Sequence, residues 1–502
     1  MTPLPSLRAA LVLALASYAA ADFCAASAPA PFLARSYGAR SDGVTLNTAA
    51  LARAVAAAAA AAATAGGAPQ RVQLSAGPEG AVFFSGQVEL RSSVTLCIDA
   101  GVTLLASSNA SDFPRDESAW AFLFAQGVSN IGVGGGGVVD GNLARWIGGF
   151  DEGFDQYIPL KWPGCSGECR PRLVIFKDAT DIDVANVTFT GSPDWTFQLL
   201  NCSRVYVRDW KQHGDERWPN NDGVDIDSSS DVLVERSSID TADDGVCIKG
   251  STFPLGRVHN VTVRDSTVRS RSSAIKFGSN TGIPMTELLF ERITIVDSNR
   301  ALALQARDGP CEGGFCISNV TFRDIYINGT RFWPLKWWGD GSAMYISTML
   351  RTADAGASGV QNVTFENIVA FSQSASVFSG LAPGGRVEGI TLRNISLTIE
   401  RRMNWNYSLS EGVFPSVEYD PSEGVPIVPE GAGTPTRLNM SGWMPGIYAE
   451  SVAGLVLDDV RIAFVGDAQP YWGSVCVNTT RAGAPVKVIG GSCAPPGRGP
   501  LL

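Results

Sequence analysis

Short segments of the form x-N-V-T-[FV]-x recur along the chain. Clear copies are ANVTFTG, HNVTVRD, SNVTFRD and QNVTFEN, which contain Asn186, Asn260, Asn319 and Asn362. Each copy alternates apolar and polar residues and has Asn, Asp or Gly at its ends, a pattern that predicts a short strand followed by a bend. Degenerate copies such as SDVLVERS, TELLFERI and EGITLRNI fill the intervals. Their spacing of mostly about 20–30 residues is that of a solenoid coil.

The repeats predict an all-β fold, a single-stranded parallel β-helix in which equivalent positions of successive coils stack at roughly 4.8 Å. A β-sandwich is the alternative, because it also consists of short strands and turns. Self-similarity through the middle of the chain favours the solenoid. The first coil of a solenoid needs a cap, and we expect a short Ala-rich helix that begins at Asn47 or Thr48 and runs to Gly66.

The N-terminus predicts export. Arg8 precedes the apolar run Ala9 to Ala16, and small residues follow up to Ala21. Residues 1–21 are therefore interpreted as a signal peptide, and residues 22–502 as one secreted, extracellular domain. A retained signal anchor is the alternative. No later stretch reaches the roughly 20 uninterrupted apolar residues of a membrane span, so no membrane association is expected.

Cysteines and glycosylation sequons agree with export. N-x-[ST] sequons are dense, and the chain has 10 cysteines, as expected in an oxidising compartment. Zinc binding by Cys165 and Cys169 is disfavoured, because no second pair or nearby histidine completes four ligands. Connectivity cannot be read from sequence. The candidate disulfides are Cys165–Cys169, Cys311–Cys316, Cys476–Cys493, Cys24–Cys97 and Cys202–Cys247.

Composition limits the kinds of binding and catalytic site that the chain can form. The 502 residues carry a formal net charge of −10, which argues against nucleic-acid binding. His213 and His259 are the only histidines, so a multi-histidine metal site is excluded and a Ser-His triad would depend on one of them. Carboxylate chemistry is the remaining option. We expect a monomer, and neither a metal nor an organic cofactor is implied.

Three aspartates are spaced for such chemistry. The segment NNDGVDIDSSSDVLVERSSIDTADDGVCIKG places Asp222 about one coil before the pair Asp243-Asp244. An inverting glycosidase uses one carboxylic acid to protonate the leaving oxygen and a carboxylate about 6.5–9.5 Å away to activate a water. Asp243 and Asp244 must lie at a bend, since neighbours in a straight strand face opposite sides. The alternative is that Asp-Asp-Gly only stabilises a turn.

From about Tyr37 to about Phe464, the chain resembles the polygalacturonase family, glycoside hydrolase family 28, whose members are right-handed parallel β-helices. Blocks in the family's order include YGARSDGVTLNTAAL, GVVDGNLARW, GSPDWTFQLLNC and MPGIYAESVAGLVLDDVRI. The family's Asn-Thr-Asp block resembles Asn220-Asn221-Asp222, and its Asp-Asp pair resembles Asp243-Asp244. The resemblance implies that Asp243 is the general acid and that Asp222 and Asp244 position and deprotonate the water.

The chain departs from the family at the residues that bind substrate. RSSAIKFGS places Ser272 at the family's histidine position, and RALALQAR places Ala303 and Gln305 where the family has Arg and Lys. A basic ladder of Lys249 and Lys276 could compensate, with Arg300 or Arg307 adding charge; a solvated lysine at a strand edge is the alternative for Lys276. His213 could replace the missing histidine, or could simply be satisfied by Asp215.

The sequence thus predicts a secreted glycosidase that cleaves an α-linked bond in a pectic or related polysaccharide with inversion. Asn220, Lys249, Ser272, Lys276, Arg300 and His213 are the candidate substrate-binding residues. One alternative is a catalytically impaired β-helix that binds polysaccharide. Another is a polysaccharide lyase on the same fold, which would need a basic catalytic residue and often Ca²⁺.

Overall fold

A computed structural model describes most of the chain. The described residues are 23–24, 30–114, 119–152, 155–160, 170–250, 256–309, 311–330, 341–348, 358–380, 385–400, 419–420, 425–426, 445–465 and 475–494. The predicted signal peptide and the candidate pair Cys165–Cys169 lie outside them. The chain divides into two compact units, Met1–Ala242 with Asn260–Val263, and Asp243–His259 with Arg264–Leu502. The interpretation of residues 22–502 as a single domain stays a prediction.

The first unit begins with the expected helix, which we call α1. It spans Thr48–Thr64, and a short 3₁₀ turn, Ala34–Tyr37, precedes it. Asn47 is the N-cap residue, but its side chain does not cap the helix. Instead the side-chain oxygen of Asn47 accepts the Arg40 backbone N–H, and its side-chain nitrogen donates to the carbonyl oxygens of Arg40 and Phe84. The Ala-rich face of α1 that includes Ala54 and Ala58 is buried.

Parallel strands follow, and two further 3₁₀ turns span Ala110–Asp112 and Leu143–Arg145. Ile147–Asp151 and Gln156–Pro159 form a separate antiparallel pair. The remaining strands of the first unit are Phe32–Leu33, Gln70–Leu74, Val82–Ser85, Val88–Glu89, Val94–Ile98, Thr103–Ala106, Ala121–Gln126, Ser129–Gly134, Val138–Asp140, Arg172–Lys177, Thr180–Ala185, Thr188–Thr190, Phe197–Leu200, Ser203–Arg208, Lys211–His213, Val224–Asp227, Ser230–Glu235 and Ser238–Thr241.

The second unit has two kinds of strand. Short strands pair in parallel, each with the next, in what we call the short-strand ladder: Val246–Gly250, Ser273–Thr281, Arg300–Ala306, Met344–Thr348, Ser376–Ser379, Ile447–Ala453 and Val477–Gly483. Long strands form a second parallel ladder: Val258–Ser270, Met285–Ser298, Ile317–Thr330, Gly359–Ser372, Arg386–Glu400 and Val456–Val465. The remaining elements are Glu312–Gly314, Tyr419–Asp420, Val425–Pro426, Lys487–Val488 and Gly491–Ala494.

The core of the second unit lies between these two ladders. Phe277 projects from the short-strand ladder and its ring meets that of Phe290 at 5.8 Å. Phe290, Phe322 and Phe365 are level with one another on consecutive long strands, and their rings stack at 5.0 and 5.1 Å. Every one of these rings is buried. Because the coils are in register, like side chains form continuous stacks along the interior.

The recurrent Asn residues mark the bends of the coils. Asn319 and Asp324, and likewise Asn362 and Asn367, have positive φ at five-residue spacing. Asn and Asp tolerate this left-handed conformation best among non-glycine residues. The Asn362 amide donates to Asn319 Oδ1 at 3.3 Å, and Asn367 donates to Asp324 Oδ1 at 2.9 Å. The repeated N-V-T motif therefore has a structural origin, and glycosylation at these positions stays a prediction.

The structure confirms the all-β parallel fold with an N-terminal helix. Disulfides join Cys24 to Cys97, Cys311 to Cys316 and Cys476 to Cys493, as predicted. The predicted pair Cys202–Cys247 is wrong, because both residues are buried thiols that donate to backbone carbonyl oxygens. Among the described residues, no helix has the length and apolar character needed to cross a membrane.

Candidate active site

Asp243 and Asp244 lie in a bend just before the strand Val246–Gly250, as the sequence predicted. Both residues are buried, with exposures of 7% and 3%. Asp243 Oδ1 accepts the backbone N–H of Asp244 at 2.9 Å, and the Asp243 carbonyl accepts the Ser270 hydroxyl at 2.6 Å. The bend therefore brings two adjacent carboxyl groups into a nearly water-free corner, which we call the catalytic corner after the role that the sequence predicts for them.

Asp244 accepts hydrogen bonds from three donors of the next coil. Its Oδ1 receives the Ser272 hydroxyl at 2.9 Å and the Ser273 backbone N–H at 3.2 Å. Its Oδ2 lies 3.2 Å from the Lys276 ammonium group, and the side chains of this ion pair are both almost fully buried. Donors and an adjacent cation favour the ionised form of a carboxyl group. The arrangement therefore supports Asp244 as a proton acceptor, and its oxygens are already engaged with donors.

The predicted basic ladder is only partly correct. Lys276 is level with Cys247, two residues before Lys249, so Lys249 does not stack directly on Lys276. Lys249 is buried two positions further along its strand. Because the Lys276 ammonium lies against Asp244, the alternative of a solvated strand-edge lysine is wrong.

Arg300 is buried in the next coil, level with Ser273. Its guanidinium lies 4.1 Å from the centre of the Tyr345 ring, an arrangement that stabilises a buried cation. Ala303 is level with both Lys276 and Tyr345. Tyr345 was missed by the sequence reasoning, because only the register of the coils shows that it lies on this face.

Asp222 is buried in the first unit, two residues before the strand Val224–Asp227, and its carbonyl oxygen accepts the Thr196 N–H at 2.8 Å. Asn220 has a positive φ, and its side-chain oxygen accepts from the buried Arg170 guanidinium at 2.7 Å. Asn221 donates to the Asp215 carbonyl at 3.0 Å and accepts the Ala242 N–H at 2.8 Å. Asn221 therefore fixes the backbone directly before Asp243, a positioning role the sequence did not reveal.

His213 ends the strand Lys211–His213 on the surface of the first unit. Its side chain is 74% exposed, and Nδ1 lies 3.6 Å from Asp240 Oδ2. The expected partner, Asp215, instead accepts the Arg217 backbone N–H. The exposure of His213 gives no support for its predicted role in place of the missing family histidine.

The sequence model of "Glycosyl hydrolases family 28" matches residues 68–408, which is more than half of the chain. The chain belongs to this family. Family 28 membership makes the chain a glycosidase and confirms the resemblance noted in the sequence.

Relatives and solved structures agree with family 28. A "Probable polygalacturonase" of Vitis vinifera is 24% identical over 417 residues, covering 78% of this chain and 79% of that one. A "Probable exopolygalacturonase B" of Neosartorya fischeri is 26% identical and covers 57% of this chain, which spans 62% of that protein's length. The family 28 exopolygalacturonase of Yersinia enterocolitica has a TM-score of 0.62 at 17% identity, covering 93% of this chain and 79% of that one, and shows the same fold.

Proposed function

We propose that this glycosidase is secreted and hydrolyses an α-glycosidic bond of a pectic or related polysaccharide with inversion. In this proposal Asp243 is the general acid, and Asp244 and Asp222 position and deprotonate the attacking water. The observation that carries the proposal is the buried Lys276–Asp244 ion pair beside a second carboxyl group. The names of the relatives, which are polygalacturonases, support the substrate class.

The two carboxyl groups of the catalytic corner have different surroundings. Lys276, Ser272 and the Ser273 N–H stabilise the negative charge of Asp244. An ionised Asp244 in turn disfavours ionisation of the adjacent Asp243, because like charges repel in a site with little water. Asp243 is therefore the group suited to carry a proton to the leaving oxygen.

The reaction then balances in a single displacement. A water oxygen attacks the anomeric carbon as the bond to the leaving oxygen breaks. Asp243 gives its proton to the leaving oxygen, and the attacking water loses a proton to the carboxylates of Asp244 and Asp222. Asp222 and Asp244 each lie two residues before a short strand, Val224–Asp227 and Val246–Gly250. Each aspartate thus takes the same place relative to the strand that follows it, which supports a shared role for the two.

Lys276 acts in this proposal mainly through Asp244. The sequence suggested contact between Lys276 and a substrate carboxylate, but its ammonium already lies 3.2 Å from Asp244 Oδ2. Breaking a buried ion pair to bind substrate would leave Asp244 without its cation, which is costly. Lys276 is therefore proposed as a positioning residue that keeps Asp244 ionised.

Secretion is supported by the disulfides at Cys24–Cys97, Cys311–Cys316 and Cys476–Cys493. Such bonds form and persist in oxidising compartments and are rare in the cytosol. N-terminal sequencing of the exported protein tests the predicted cleavage after Ala21. A mature chain that begins at Met1 would contradict it.

The activity is tested with purified protein on polygalacturonate, rhamnogalacturonan, xylogalacturonan and neutral α-linked glycans. We expect reducing-sugar release from at least one of them, with the new reducing end appearing first as the β-anomer by proton NMR. An α-anomer would contradict inversion. Unsaturated products that absorb in the ultraviolet and vanish with chelator would indicate a lyase, and binding without release would indicate a binding protein.

A further inference from the structure

A row of polar side chains crosses the short-strand ladder. Gln305 is level with Ser347, Ser347 with Ser379, and Ser379 with Glu450. We call these four residues the polar row. All four are buried, and Gln305 is fully so. Four stacked polar side chains in consecutive coils form a continuous strip of hydrogen-bonding groups.

The polar row lies on the face of the ladder that carries the catalytic corner. Lys276, which reaches Asp244, is level with Ala303. Gln305 is two residues beyond Ala303 and so points to the same side of the strand, while Leu302 and Leu304 point to the core. The row therefore begins one coil past the Lys276–Asp244 pair.

The Gln305 amide is buried without satisfied hydrogen bonds. Within the described part of the chain, Oε1 and Nε2 of Gln305 have no hydrogen-bond partner, and neither does Ser347 Oγ. Leaving a buried polar group unpaired is costly, so native proteins seldom do it without a ligand or water to complete the site. An amide offers both donors and an acceptor, which is what a sugar hydroxyl requires.

Gly278 packs closely against the backbone of Gln305. It belongs to the preceding strand and has φ of +108°, and a Cβ added there would lie 3.1 Å from the Gln305 carbonyl oxygen and 3.9 Å from its Cβ. A side chain at this position would therefore press on the Gln305 backbone, and glycine avoids that contact while adopting the positive φ.

The charges of the polar row do not suit a carboxylate. Its members are an amide, two hydroxyls and the Glu450 carboxylate, which accepts the Tyr448 hydroxyl at 2.6 Å. The row itself contains no cation. The Lys276 ammonium lies against Asp244, and the Arg300 guanidinium lies over Tyr345. A uronate at this row would meet the Glu450 carboxylate, whereas an uncharged sugar would find donors and acceptors. The buried Arg307 follows Gln305 by two residues, so its charge is tested separately below.

We propose that the polar row is a subsite for an uncharged sugar residue of the substrate, with Gln305 as its specificity-determining residue. This inference rests on the proposed glycosidase function. It implies that the enzyme selects against galacturonate at the position two coils beyond the catalytic corner.

The test uses two probes that differ only in charge: an oligogalacturonate and the same oligosaccharide after its carboxyl groups are reduced to alcohols. Binding is measured by calorimetry to the full-length Asp243→Asn variant, which separates binding from turnover. Adding Gln305→Lys should shift the ratio of the two dissociation constants at least about tenfold toward the acidic probe, because a buried ammonium pairs with a carboxylate. Adding Gln305→Leu should weaken the reduced probe about tenfold.

Gln361→Lys is the matched control, because Gln361 lies on the long strand Gly359–Ser372 and should leave the ratio unchanged. The proposal is overturned if both Gln305 variants keep the ratio, if the reduced probe does not bind, or if an acidic preference disappears with Arg307→Gln. Gln305→Leu keeps the test valid if Gln305→Lys does not fold. Absence of hydrolysis on every polysaccharide, with these binding shifts present, would reject the proposed function and retain the subsite.

Discussion

The two faces of the short-strand ladder differ in how closely the identity of each side chain is specified. The inward face stacks Ile248, Phe277, Leu304, Ile346 and Phe378 in register, all fully buried. Any of several apolar residues could fill such a stack, since burial of apolar surface is not directional. Burial of the inward face thus contributes to the free energy of folding, and this contribution is shared among the apolar side chains of many coils.

The outward face carries a different side chain in each coil. Cys247, Lys276, Ala303, Tyr345 and Val377 follow one another at the same level. Lys276 and the catalytic corner are as buried as the core, yet they are polar and specifically paired. A buried charge requires a particular partner, so function depends here on single residues. Variants of the two faces should therefore separate stability from activity.

The largest stability effect is expected for Phe277→Ala on the inward face. Loss of the ring leaves a cavity beside Phe290, and such truncations cost about 3–5 kcal/mol. The free energy of unfolding, measured by denaturant titration, should fall by that amount. Phe277→Leu is the control and should cost clearly less. A loss below about 1 kcal/mol for Phe277→Ala would show that the stack is not the source of stability.

Lys276→Met should affect activity more than substrate binding. The change removes the cation from Asp244 and should lower kcat at least about 100-fold, with a smaller change in KM. Lys276→Arg, which keeps the charge, should recover part of the loss. If Lys276 instead contacts a substrate carboxylate, KM would rise for acidic substrates and stay constant for neutral ones.

Exposed ion pairs of the long-strand ladder should contribute little. Arg292 Nε lies 2.7 Å from Asp265 Oδ1, with side-chain exposures of 45% and 37%. Exposed pairs are worth about 0.2–1 kcal/mol. Asp265→Asn, which removes the exposed partner of Arg292, should therefore lower the free energy of unfolding by less than about 1 kcal/mol and leave kcat unchanged. A loss as large as that of Phe277→Ala would show that exposed ion pairs stabilise the protein as much as the buried core does.

The smallest effect concerns Cys202. Burial raises the pKa of this thiol to about 12, so almost no thiolate is present at pH 8. Iodoacetamide should leave Cys202 unmodified in the folded protein and modify it after denaturation, as measured by peptide mass spectrometry. Rapid modification of the folded protein at pH 8 would contradict the tight packing around this residue.

The difference between the faces also explains what the sequence could predict. The N-V-T repeat predicted strands, bends and coil spacing, because periodicity and positive-φ residues act locally. The contacts of Lys276 and Arg300 depend on register across coils, because Lys276 is level with Cys247, whereas the sequence placed Lys276 beside Lys249. The pair Cys202–Cys247 was wrong for the same reason, since spacing does not show which carbonyl oxygen each thiol meets.

Within the candidate site, the three aspartates were predicted from their spacing and from the family resemblance, and their catalytic roles stay a prediction. Asn221 and Tyr345 were missed, because their roles arise from contacts with the Ala242 backbone and the Arg300 guanidinium. Neither contact leaves a pattern along the chain. The aspartates belong to a local motif, whereas their supporting residues are defined only by the folded coils.

The most direct test of the account is reducing-sugar release by Asp243→Asn on the best substrate of the polysaccharide panel. The account predicts a fall in kcat of at least about 1,000-fold, with unchanged unfolding and polysaccharide binding. Asp265→Asn, the same substitution on the exposed face of the same unit, should keep full activity. Full activity in Asp243→Asn would contradict the assignment of the catalytic corner.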